Sequence, residues 1–64
     1  MTTETYTFQA LPRNTSDWVE LASGVGDDET YLVWGQLARK SDTINVEGTM
    51  ILTGEFIAFR FVEE

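Results

Sequence analysis

Thr43-Ile44-Asn45-Val46-Glu47-Gly48-Thr49-Met50-Ile51-Leu52-Thr53-Gly54-Glu55-Phe56-Ile57-Ala58-Phe59-Arg60-Phe61-Val62, residues 43–62, is the stretch on which the fold turns. β-Branched and aromatic residues fill it on both sides of Thr53-Gly54-Glu55, a composition suited to pleated, half-buried strands around a turn. A two-residue turn at Gly54-Glu55, with glycine supplying the positive φ, sets Leu52 against Ile57, Met50 against Phe59 and Gly48 against Phe61. That register gathers apolar side chains on one face. A three-residue loop would pair Leu52 with Phe56 and Gly48 with Arg60, mixing polar with apolar, so side-chain parity favours the tight turn.

Working outward, Thr30 to Ala38 is a third run of the same character, bounded by Gly26-Asp27-Asp28 before it and Arg39-Lys40-Ser41-Asp42 after it. Continuing the sheet through that four-residue loop sets Leu37, Gly35, Val33 and Tyr31 against Ile44, Val46, Gly48 and Met50, and the same face fills again. The three runs together predict a C-terminal antiparallel meander. Further upstream, Thr5-Tyr6-Thr7-Phe8-Gln9-Ala10 alternates with Tyr6, Phe8 and Ala10 on one side, and Leu11-Pro12-Arg13-Asn14 ends it. Residues 17–23 fit two patterns. As a helix they have Asp17 as N-cap, Glu20 three residues on and a glycine stop at Gly24. As a strand they place Val19 and Leu21 on one face, and the short length and β-rich surroundings favour that reading. Five short strands in one domain spanning 1–64 predict an all-β, five-stranded antiparallel barrel of SH3-like or OB-like form; the alternative is an α+β fold with a short helix at 17–23 on a four-stranded antiparallel sheet.

Eleven carboxylates stand against four cations, with no histidine and no cysteine in 64 residues, a formal charge of −7. The usual proton shuttle, thiol nucleophile and soft metal ligands are therefore missing. A negative field repels polyanions, so direct nucleic-acid binding and anionic membrane surfaces are disfavoured. No apolar run approaches the roughly 18 residues of a bilayer span. The start Met1-Thr2-Thr3-Glu4-Thr5 lacks the basic and apolar regions of a secretion signal, and a cytoplasmic location is expected. A chain this short buries only about 60% of its unfolded surface. Without disulfides or zinc, its core alone or a partner subunit must supply the roughly 3 to 5 kcal/mol that small scaffolds manage.

The candidate chemical motifs are weak. Asp27-Asp28-Glu29 could offer oxygen ligands to Ca²⁺ or Mg²⁺ but lacks the alternating geometry of a dedicated loop. Gly24-Val25-Gly26 has neither the third glycine nor the lysine of a phosphate-binding turn, and carboxylates follow it. Asn14-Thr15-Ser16 fits a glycosylation sequon that a cytoplasmic chain would not use. Glu47 and Glu55 are a formal carboxylate pair with nothing to set them across a cleft, and Lys40 lies in a polar, solvated turn rather than the desolvated site a Schiff-base lysine needs. No nucleophile, base and orienter come together, so no enzymatic role, no cofactor and no metal are expected.

In the expected register the outer face is half apolar. It carries Leu32, Trp34, Ile51, Phe56, Ala58 and Val62 among Gln36, Asn45, Glu47, Thr49 and Arg60. The expected function is a small acidic protein-binding module acting through this mixed face. Trp34 is its expected anchor, with Arg60, Phe56, Leu32 and Glu47 around it, and Arg60 two strands away on the same face can bring its cation over the indole. The partner is another protein or a second copy of the chain. Trp34 can equally close a second core against Tyr6, Phe8 and Trp18. The alternative function is an acidic inhibitor or decoy, of the kind phages and viruses make, that occupies the nucleic-acid groove of another protein through its carboxylates.

Overall fold

A computed structural model describes residues 4–64. Met1 to Thr3, on which the reading of a missing secretion signal partly rests, lie outside the described residues. Strands β1 (Thr5–Pro12) and β2 (Val19–Gly26) lead into helix α1 (Asp27–Ala38). Strands β3 (Thr43–Val46) and β4 (Thr49–Leu52) follow, then a 3-10 turn at Thr53–Glu55 and strand β5 (Phe56–Glu63). Among the described residues the protein is mostly antiparallel sheet with one α-helix, and the strands form no closed barrel: one sheet has the order β2-β1-β5 and the other is the β3-β4 pair.

The alternation in β1 holds as read. Phe8 and Ala10 are fully buried and Tyr6 is half-buried beside them. Of residues 17–23, read as helix or strand, Val19 onward is strand, as preferred, but Asp17 and Trp18 lie outside it and the strand runs on to Gly26; β2 pairs with β1 through Tyr6↔Val25, Phe8↔Ala22 and Ala10↔Val19. Two register shifts interrupt this ladder. One spans Ser23-Gly24, where Gly24 at φ 66 supplies the left-handed residue of a bulge.

The strand expected at Thr30–Ala38 is a helix. Its N-terminus is built from the residues read as a turn: Gly26 is the N-cap in extended conformation, and Asp27, Asp28 and Glu29 fill the first turn, where carboxylates complement the helix dipole. The Thr30 hydroxyl donates back to the Asp27 carbonyl at 2.6 Å, which accounts for a β-branched residue in that turn. Thr30 and Val33 are buried and Leu37 packs partly against the core, a spacing of three and four that only a helix places on one face. Lys40, in left-handed conformation at φ 55, ends the helix with its N–H on the Leu37 carbonyl at 3.0 Å.

The single strand expected at Thr43–Leu52 is instead a hairpin. Glu47 at φ 51 and Gly48 at φ 82 form a two-residue turn of the primed type, with Val46 opposite Thr49 and Ile44 opposite Ile51. The turn switches side-chain parity. Ile44, Val46 and Ile51 point inward, while Met50 and Leu52, expected inside, are exposed.

The tight turn at Gly54-Glu55 does not form either. Gly54 does not take a positive φ, and Thr53–Glu55 winds as a 3-10 turn that steers β5 away from β4. That turn is held from two sides. Thr53 donates its N–H to the Asp42 carbonyl at 2.9 Å and its hydroxyl to the Ser41 carbonyl at 2.7 Å. Arg13 donates Nε to the Gly54 carbonyl at 2.8 Å and its backbone N–H to the Glu55 carbonyl at 3.3 Å. Strand β5 pairs with β1 instead, as Phe8↔Phe61 and Ala10↔Phe59, so the expected meander is absent. The inward direction of Phe59 and Phe61 survives the change of partner, but Ile57 is exposed.

One core results. Phe8 and Val25 from the three-stranded sheet, Val33 from α1, and Ile44, Val46 and Ile51 from the hairpin meet in a single cluster, with Leu37, Phe59 and Phe61 packed against it. The Phe8 ring stacks on Phe59 at 5.7 Å between centroids and tilts against Phe61 at 4.8 Å. The helix and hairpin thus cover one face of the three-stranded sheet. The other face carries Thr5, Thr7, Gln9, Arg60 and Val62 by alternation.

Candidate interaction surface

The amphipathicity of α1 is imperfect, and that defect makes its surface. With Val33 and Leu37 turned inward, Tyr31 is left 75% exposed, Leu32 62% and Trp34 45%. Trp34 still touches the protein, its indole edge-on to Phe61 at 5.6 Å. It is therefore neither the closure of a second core nor a free anchor, but a side chain shared between core and surface.

Beside Tyr31 and Leu32 a groove of about 550 Å³ runs between α1 and β3, bounded also by Glu29, Gln36 and Asn45. Its floor is fixed by Gln36, whose amide pairs with the Asn45 backbone in both directions. Nε2 donates to the carbonyl at 2.9 Å, and Oε1 accepts from the N–H at 2.8 Å. The side chain thus occupies backbone groups of β3 that would otherwise invite another strand.

The five residues expected to share one face do not. Leu32 and Trp34 are on α1. Arg60 is on the opposite face of the three-stranded sheet, where its Nε donates to Gln9 Oε1 at 2.8 Å and its guanidinium lies 4.1 Å from the centroid of the Trp18 ring. A cation over an indole was the expected device, but the indole belongs to Trp18. Phe56 is half-buried, edge-on to Phe59 at 5.7 Å. Glu47 is the exposed tip of the β3-β4 turn, its N–H directed at Glu29 Oε2 at a long 3.5 Å. The single mixed face is lost because residues 30–38 are helical and β5 sits beside β1.

Tyr31, Arg13 and the Trp18 partnership of Arg60 were missed. The spacing of Thr30, Val33 and Leu37 was the available signal for Tyr31, since it leaves residue 31 outside. Nothing local pointed to Arg13, whose role depends on a turn some forty residues away in the chain.

Carboxylates elsewhere are used structurally. Glu64 accepts from the Gly24 N–H and the Thr7 hydroxyl, both at 2.9 Å, and from the Thr5 hydroxyl at 2.8 Å, so one side chain ties the ends of three strands on the outer face. The Gly24 N–H freed by the bulge, then the Thr5 and Thr7 hydroxyls, hold this carboxyl below the usual carboxylate range. The carboxylates of Asp27 and Glu4 beside the Tyr6 hydroxyl push that phenol well above its ordinary range. Among the described residues no group of three or more carboxylates is disposed to hold a metal ion, and Asp27, Asp28 and Glu29 serve the helix start. Among the described residues no helix is long and apolar enough to cross a membrane. Compared with protein-family models, curated proteins and solved structures, the chain matches none.

Proposed function

We propose that the protein is a small acidic, non-enzymatic protein-binding module whose contact surface is the outer side of α1. One observation carries the reading: Tyr31 and Leu32, adjacent large side chains on a short helix, face solvent beside a preformed groove, while Trp34 is partly exposed on the other flank of the helix. Tyr31 is of a residue type enriched at interface hot spots, and carboxylates at Asp28 and Glu29 supply a polar rim. The partner is another protein or a second copy of this chain.

The test uses Leu32→Ser and Tyr31→Ser in one chain. Both side chains are mostly exposed, so the double variant should keep the parent's circular dichroism and melting temperature within about 0.5 kcal/mol of stability. It should lose either concentration-dependent sedimentation, if the partner is a second copy, or the protein captured from the native host by the parent chain. A folded double variant that self-associates and captures as the parent does would end the proposal.

A further inference from the structure

The acidic chain brings two of its four cations to one cleft, and they come from distant segments. Between the end of α1, the Arg13-Asn14 turn and the Thr53–Glu55 turn lies a cleft of about 430 Å³, within the range of small-ligand sites. Arg13 and Lys40 line it together with Trp34, Leu37 and Phe59, and Asp42 lies on the wall beside the Ser41, Thr53 and Gly54 segment. We propose that this cleft binds a carboxylate carried on an aromatic or branched apolar body, a role separate from the contact surface formed by Tyr31 and Leu32.

The cations are placed rather than scattered. Arg13 is anchored through Nε to the Gly54 carbonyl, which fixes the plane of its guanidinium and leaves the terminal nitrogens to face an incoming group. Lys40 stands in left-handed conformation at φ 55, a position that closes the helix and that glycine fills without strain. A lysine there carries an avoidable backbone cost of about 1 kcal/mol. The cation that Lys40 brings to the lining of the cleft accounts for it.

The remaining wall chooses the ligand. Trp34, Leu37 and Phe59 offer an apolar and aromatic surface, so the bound group has a hydrophobic body as well as charge. Asp42 within the lining and the net charge of −7 weigh against a dianion or polyanion, and a monoanion is the species two cations can hold in that field. A planar carboxylate also matches the guanidinium fork. Two sources present this chemistry: a free aromatic acid, and the terminal carboxylate of a peptide ending in an aromatic residue.

Nitrogen-15 NMR titration with N-acetyl-phenylalanine tests the proposal, because the two tryptophans report separately. Trp34 lines the cleft, whereas Trp18 lies on the opposite sheet face under Arg60. The Trp34 indole N–H and the backbone amides of Arg13 and Lys40 should shift saturably while the Trp18 indole stays still. The neutral amide of the same compound, and phenyl phosphate, should bind more weakly by about fivefold or more. Lys40→Gly should melt no lower than the parent yet lose affinity by about fivefold, which separates lost binding from lost folding; Arg13→Gln should lose a similar factor. A short peptide ending in phenylalanine that binds more tightly than the acetylated amino acid assigns the site to chain termini, and equal or weaker binding assigns it to free acids. Equal shifts with the neutral amide, movement of Trp18 together with Trp34, or unchanged affinity in Lys40→Gly would each overturn the proposal.

Discussion

Trp34 and Phe8 both touch the Phe61 ring, at 5.6 and 4.8 Å between centroids, yet they stand differently toward water. Phe8 is fully buried at the centre of the sheet's inner face, while Trp34 leaves nearly half its surface exposed. Truncating Phe8 removes the transfer free energy of a whole ring and opens a cavity, about 3 to 5 kcal/mol, comparable to the whole stability of a scaffold this small. Phe8→Ala is therefore expected to be unfolded by circular dichroism at room temperature. Trp34→Ala gives up one edge contact and part of its burial, about 1 to 2 kcal/mol, and should remain folded with a lowered melting temperature. An unfolded Trp34→Ala would show that the indole belongs to the core, and would remove it from the surface and from the cleft. The exchange of indoles over Arg60 belongs to this scale too: residue type made a cation-π contact reasonable, but Trp18 and Trp34 are equally good rings, and only the strand neighbours decide between them.

At the level of elements, the molecule depends on side chains that reach across strands. Gln36 fastens α1 to β3, Arg13 fastens the β1-β2 turn to the start of β5, and Glu64 gathers the ends of β1, β2 and β5. The last of these is sensitive to acid. Hydrogen bonds from the Gly24 N–H and the Thr5 and Thr7 hydroxyls favour the ionised carboxylate in the folded protein, so its folded pKa lies below the ordinary value of 4.5. The unfolded chain then binds the proton more readily. The contribution is present above pH 4.5 and is lost as pH falls through the depressed folded value. The urea midpoint should therefore drop below that pH, and Glu64→Gln should flatten part of the decline while starting from a lower midpoint in neutral solution. A glutamine variant with the parent's full acid sensitivity would show that other carboxylates govern it.

For the whole molecule, charge outweighs any single contact. Eleven carboxylates on a domain of this size repel one another through a surface that only four cations relieve. Salt should consequently stabilise the fold. Raising sodium chloride from low millimolar to about 0.15 M shortens the screening length to about 8 Å, and the melting temperature is expected to rise. A fall with salt would mean that attraction between the four cations and the carboxylates outweighs the repulsion. The same scale explains the shape. The helix and hairpin cover one face of the three-stranded sheet, and the extents of 40 × 24 × 17 Å describe an elongated body in which the seven buried apolar side chains among the described residues lie between the sheet and its cover.

Several features were legible without coordinates: the alternation that buries Phe8 and Ala10, the inward direction of Phe59 and Phe61, the preference for strand over helix in 17–23 and the acidity of the chain. Each follows from a local rule, since the pleat of a strand dictates parity whichever strand lies beside it. The helix at 27–38 and the hairpin turn at Glu47-Gly48 were misread because apolar, β-branched runs of this length satisfy both periods, and the deciding factor is which face finds a cover. The choice of β1 over β4 as the neighbour of β5 is further from local reach. It is a pairing between opposite ends of the chain, held in place by the turn that Arg13 and Thr53 pin, and neither contact exists until the chain has folded. The candidate surface shares that dependence: Leu32 and Trp34 were named from residue type, but their separation from Arg60, Phe56 and Glu47 was set by tertiary pairing alone, because strand partners are selected by the burial they jointly achieve.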